Sequence, residues 1–203
     1  MKTIIIDDRK ERKHQFWDDV KKEQATRLCQ KGVLEIRETM GTFDETKGVF
    51  DELEKFQLIA VHESLLKETN RLEELIDYAK GRKKLLILFS GGITHNGIYD
   101  SGRLMRINAE DFYNKVLPFV EENQNNDKIQ LPLLQFLYGA DWRLPLLLRY
   151  RDLIWNYGSA LDDPEENPEY QIEEEIRAIL LPGDDVISPK WIEDELIKYR
   201  KAL

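Results

Sequence analysis

The chain has one cysteine, Cys29, so no disulfide can form within it. It has no apolar run of the roughly 18 residues that a membrane-spanning helix requires. It has no basic excess either: the net charge is -9. Residues 1–122 carry 21 basic and 23 acidic side chains, whereas residues 123–203 carry 9 and 16. Phosphate neutralisation needs clustered Lys and Arg, so a nucleic acid is not expected as partner, least of all for the acidic C-terminal part. Phosphate-loop and dinucleotide glycine patterns are missing, and so is any repeat period. The apolar start is cut by Asp7 and Asp8 too early for a signal-peptide core, which leads to the expectation of a cytoplasmic protein with no membrane partner.

What is present begins with Ile4-Ile5-Ile6, a β-branched run that reads as a strand buried on both faces. It ends in Asp7-Asp8. Either acid can cap the following helix, since Asp is a favoured N-cap. The pair can also hold a hard cation such as Mg²⁺. Alternating patterns follow. Phe16, Trp17, Val20 and Leu28 mark one amphipathic helix over residues 9–28, and Val33 to Arg37 a second strand. Val49, Phe50, Leu53 and Phe56 suggest a short helix, and Leu58 to His62 a third strand. Leu65, Leu72, Leu75, Ile76 and Ala79 line a single helix closed by Gly81. Leu85 to Phe89 is the fourth strand, Arg103 to Ile107 the fifth. Phe112, Val116 and Val120 mark a further helix, with Pro118 anomalous in its last turns.

Strands separated by helices imply βαβ units and a parallel sheet. The expected fold class is α/β: a flavodoxin-like five-stranded parallel sheet, order 2-1-3-4-5, over residues 1–122. The polar run Glu121 to Asp127 reads as a boundary, and residues 128–203 as an acidic α-helical domain. In that domain Pro132 opens a short helix, and Asp141-Trp142-Arg143-Leu144-Pro145 starts another. A third lies near Tyr170–Leu181, and Ser188-Pro189 begins the last, to about Lys201.

In this topology the ends of strands one and three lie side by side, bringing Asp7, Asp8 and His62 together. An acid pair after strand one, a polar residue after strand three and Ser90 after strand four form a layout that resembles a response-regulator receiver domain over about residues 1–122. The resemblance implies an acid pair at Asp7-Asp8 and a hydroxyl at Ser90. It also implies a phosphoacceptor Asp where His62 stands and a Lys where Arg106-Ile107 stand. A histidine cannot form an acyl phosphate and is a poor Mg²⁺ ligand, and Arg is not interchangeable with Lys. What is implied is therefore a degenerate pseudo-receiver with a pocket of Asp7, Asp8, His62, Ser90 and Arg106, acting in signal transduction through protein contacts. No cofactor is expected, with Mg²⁺ at Asp7 and Asp8 the one exception left open. His62 itself reads as a neutral hydrogen-bonded residue, a pH-sensitive partner of the acids, or a catalytic base or phosphate acceptor.

A second dense segment runs from Ser90 to Gly102. Gly91, Gly92 and Thr94 belong to a glycine-rich loop whose amides could cradle an anion. Ser90 or Ser101 with His62 or His95 and Asp100 has the residue types of a nucleophilic triad, so a hydrolase is the alternative. The G-x-S-x-G elbow is absent, however, and no enzyme activity is the preferred expectation. In the tail, Trp142, Tyr150, Trp155 and Tyr157 with Leu146, Leu147 and Leu148 form an apolar helical face, packed internally or docking another protein. A homodimer is left open.

Overall fold

The computed structural model describes residues 1–39, 50–69, 71–99, 103–125, 132–139, 142–144, 147–148, 151–152, 180 and 188–200. The chain divides into two compact units, Met1–Ile129 and Gln130–Leu203. The first is an α/β layer built on β1 (Thr3–Ile6), β2 (Leu34–Arg37), β3 (Leu58–His62), β4 (Leu85–Ser90), β5 (Gly97–Tyr99) and β6 (Leu104–Asn108). The sheet has six strands in the order β2-β1-β3-β4-β6-β5. All pairings are parallel except β5 with β6. This corrects the expected five strands in the order 2-1-3-4-5. Gly97–Tyr99 folds back as an extra antiparallel edge, and three residues are too few to show a period in the sequence.

Burial explains why the central strands form. Every residue of β1 and β3 is buried, as a strand covered on both faces must be. Ile4, Ile5 and Ile6 are fully buried, which at about 1.5–3 kcal/mol each makes β1 a principal source of stability. On one face Ile4, Ile6, Ile59, Val61, Leu86 and Leu88 form a core with Phe50, Leu53, Leu75 and Ala79. That core is roofed by α3 (Glu63–Thr69) and α4 (Leu72–Gly81). On the other face Phe89 stacks on Phe112 of α5 (Ala109–Asn123) with centroids 4.0 Å apart.

Three helix expectations are corrected. The stretch over residues 9–28 is two helices, α1 (Lys10–Phe16) and α2 (Asp19–Gln30). Asp18 makes the break, accepting a hydrogen bond from the Lys21 amide at 2.9 Å as the N-cap of α2. The single helix from Leu65 to Ala79 is also two, α3 and α4. The helix at Phe50–Phe56 is only a 3₁₀ turn, Asp51–Leu53, and Val49 lies outside the described residues. Pro118 does sit inside α5. It removes one backbone hydrogen bond, but buried Leu117, Phe119 and Val120 hold the helix through that position.

In the second unit, α6 (Pro132–Tyr138) and α7 (Pro189–Arg200) start where Pro132 and Ser188-Pro189 mark them. The Ser188 hydroxyl caps α7 by accepting from the Trp191 amide at 3.1 Å. Leu147 is buried and Leu148 exposed. Asp141, Pro145, Leu146, Tyr150, Trp155, Tyr157 and the expected helix near residues 170–181, apart from buried Leu180, lie outside the described residues. Among the described residues no helix is long and apolar enough to cross a membrane.

Candidate functional site

The carboxyl ends of β1 and β3 are neighbours, with Ile6 paired to Val61. The next residue on each strand is therefore Asp7 or His62. Asp7, Asp8 and His62 each offer a ligand atom within 4.8 Å of the others.

Asp7 is fully buried, and three donors reach its two oxygens. Its Oδ1 accepts from the Arg9 amide at 3.0 Å and from Arg12 Nη1 at 2.8 Å. Its Oδ2 accepts from the Tyr113 hydroxyl at 2.5 Å. Neither acid caps α1: its N-cap is Arg9, which has no side-chain cap. Asp7 instead joins the end of β1 to α1 through Arg12 and to α5 through Tyr113. Burial and the Asp7 carboxylate drive the Tyr113 phenol well above its ordinary value, so it stays a neutral donor. Its ring stacks on Phe16 and meets Trp17 edge-on, and the Trp17 indole donates to the Tyr113 carbonyl at 3.0 Å.

Asp8 is half-buried and reaches Ser64, whose hydroxyl lies 3.1 and 3.2 Å from its two oxygens. Arg12 Nη1 lies 3.4 Å away. Burial raises the Asp8 carboxyl, but hydrogen bonding with Asp7 and Ser64 and the Arg12 and His62 charges outweigh it, and the net displacement is downward. The Ser64 hydroxyl also lies 2.6 Å from His62 Nδ1, and the Ser64 amide donates to the same nitrogen at 3.2 Å. An accepting Nδ1 assigns the proton of a neutral ring to Nε2. Burial lowers the His62 imidazole, and the Arg12 charge adds to this against Asp7 and Asp8. His62 also meets Phe89 edge-on at 5.3 Å. A base and a hydroxyl at 2.6 Å are within proton-transfer reach. The acid, however, touches the hydroxyl and not the imidazole, so the order of a nucleophilic triad is not formed.

The other pocket candidates make no hydrogen bond to this cluster. Arg106 Nε binds Glu63 at 2.9 Å, and Glu63 is buried. The cation facing the acid pair is therefore Arg12, contrary to the expected place of Arg106. The Ser90 hydroxyl accepts from the Gly92 amide at 3.3 Å within its own turn. His95 is exposed and pairs with Thr94 at 3.0 Å. Among the described residues no hydrogen bond joins Ser90 to a histidine, and Asp100, Ser101 and Gly102 lie outside them.

The glycine-rich loop is held by amide side chains. Asn96 accepts from the Asn108 amide at 2.8 Å and donates to Asp111 at 2.6 Å, and Asn108 donates to the Ile93 carbonyl at 3.0 Å. Gly91 and Gly92 have no positive φ; a Cβ would point into open space at Gly91 and would make only ordinary contact, 3.9 Å from Ser90 Oγ, at Gly92. Neither the turn nor a close approach requires glycine there.

Arg12, Ser64 and Tyr113 escaped the sequence reading. Arg12 stands four residues after Asp8, a spacing that brings side chains together on a helix face. Ser64 and Tyr113 carry no local signal. Comparison of the chain with family models, with curated proteins and with solved structures finds no match.

Proposed function

We propose that the first unit is a degenerate receiver-like module of a regulatory protein, acting through contacts with another protein and not through phosphoryl transfer. The observation that carries this reading is His62 at the end of β3, with the Ser64 hydroxyl 2.6 Å from its Nδ1 and 3.1 Å from Asp8 of a retained acid pair. A receiver needs a carboxylate nucleophile and a bound metal there. The strand order β2-β1-β3-β4-β6, with β5 added at the edge, is compatible with a flavodoxin-like fold.

Mg²⁺ does not suit the donor set. Asp7 has three donors on its two oxygens, and one is a guanidinium at 2.8 Å. The third group is a nitrogen ligand, His62, which a hard cation disfavours. Arg12 already places a positive charge against both acids.

Incubation with acetyl phosphate and Mg²⁺, followed by intact-mass measurement, tests the reading. Unmodified protein is the expected result. A stable phosphoryl adduct that survives in His62→Gln and disappears in Asp7→Asn or Asp8→Asn would overturn it.

A further inference from the structure

We infer that the cavity between α1, α2 and the edge strand β2 binds a small organic anion with an apolar body. The cavity measures about 530 Å³, within the range of roughly 300–1,000 Å³ typical of small-molecule sites. Ala25 of α2, Ile36 of β2 and the Trp17 ring supply an apolar floor. The Trp17 indole N–H already donates to Tyr113, so the ring offers only carbon.

The rim is basic. Lys10, Lys13, His14 and Lys22 stand around it, against one acid, Glu38. This is a local reversal of sign in a chain whose net charge is -9. Two of the lysines are engaged, Lys10 with Glu38 at 3.2 Å and Lys22 with Asp19 at 3.1 Å. The side chains of Lys13 and His14 make no hydrogen bond or ion pair among the described residues, although the Lys13 carbonyl accepts from the Trp17 amide. An apolar floor under two uncommitted basic groups matches a ring or branched chain carrying a carboxylate or sulfonate. The head would lie against Lys13 and His14 and the body against Ile36 and Ala25. Opposite charge at the mouth also raises the local concentration of such a ligand. This site is independent of the receiver-like reading and can stand or fall without it.

The chain contains its own reporter, because its single cysteine, Cys29, lines the cavity and is exposed. The probe is anilinonaphthalene sulfonate, and the control is phenylnaphthylamine, the same body without its charge. Full-length protein is titrated with each by fluorescence, and Cys29 alkylation by iodoacetamide is timed at saturation. The sulfonate is expected to bind saturably, to slow alkylation, and to bind about tenfold more tightly than the neutral analogue, as one charge-assisted contact provides. Lys13→Glu and the milder Lys13→Gln are expected to weaken it by a similar factor. Lys190→Glu, which makes the same charge change on α7, should leave it unaltered. Equal binding of the two probes, unprotected Cys29 at saturation, or equal effects of Lys13→Glu and Lys190→Glu would each overturn the inference.

Discussion

Replacing Arg12 with methionine removes the guanidinium from the acid pair while keeping an apolar stem of similar length. The Arg12 side chain is 16% exposed and that of Asp7 0%, so the pair is largely desolvated. Removing one partner of a buried pair costs about 3–5 kcal/mol, because the other charge is left uncompensated. Asp7 keeps the Tyr113 hydroxyl and the Arg9 amide, which places Arg12→Met at the lower end, about 3 kcal/mol. With a urea dependence of about 2 kcal/mol per molar, the midpoint should fall by about 1.5 M. Far-UV circular dichroism during urea denaturation reads this directly. The same variant tests whether Arg12 occupies the place of a cation. Mg²⁺ is expected to raise the midpoint of Arg12→Met and leave the unsubstituted protein unchanged. At a hundredfold excess over its dissociation constant the recovery would be about 2.7 kcal/mol. A loss below about 1 kcal/mol, as for a surface pair, would refute the buried-pair argument. Equal stabilisation of both proteins by Mg²⁺ would refute the substitution of metal by arginine.

Tyr113→Phe deletes the hydroxyl that reaches Asp7, and a lost hydrogen bond to a charged group should cost about 1.5–3 kcal/mol in urea denaturation; a neutral result would place Asp7 in a wetter setting than described. His62 is lowered from its usual 6.5 by burial first and by Arg12 second. Below pH 6.5 the unfolded chain therefore takes up a proton that the folded one refuses, and stability should fall as pH drops toward the folded value. Asp8, also lowered, adds a loss of the same sign below its ordinary 3.8. His62→Gln should flatten the upper part of this decline, and an unchanged stability–pH profile would show that His62 does not contribute to it. Asn96→Ala removes two of the three side-chain clips on the glycine-rich loop, and faster amide hydrogen exchange at Gly97–Tyr99 is expected, while protection of β1 and β3 stays as it was.

The parts of the fold that the sequence disclosed are those whose signal is local. Residues 58–61 and 85–89 are continuous apolar runs, and continuous burial on both faces is what such runs mean. The break between α1 and α2 was masked because Phe16, Trp17 and Val20 keep helical spacing across it, although Val20 proves exposed and Asp18 takes the cap. The candidate site was legible only in its first members. Asp7 and Asp8 stand next to each other, but Ser64 lies 56 positions from Asp8 and Tyr113 lies 106 positions from Asp7. Pairings at such separations are set by how the sheet and α5 pack, which no window of residues contains. The place of Arg106 is beyond a local reading for the same reason. Its position opposite Leu88 is a matter of register, and its partner Glu63 belongs to α3.

The separation of Asp7 from Tyr113 also bears on how the molecule is made. At about 5–20 residues per second, the ribosome delivers Tyr113 some 5–20 s after Asp7. Throughout that interval the buried strand β1 is followed by a carboxylate that has not yet met its phenol. The strand can pair with β2 and β3, but the polar end cannot be sealed until α5 arrives. A nascent chain held in that state exposes the Ile4–Ile6 surface to chaperones and to other nascent chains. Slowing of synthesis between β4 and α5 would lengthen that exposure, and speeding it would shorten it.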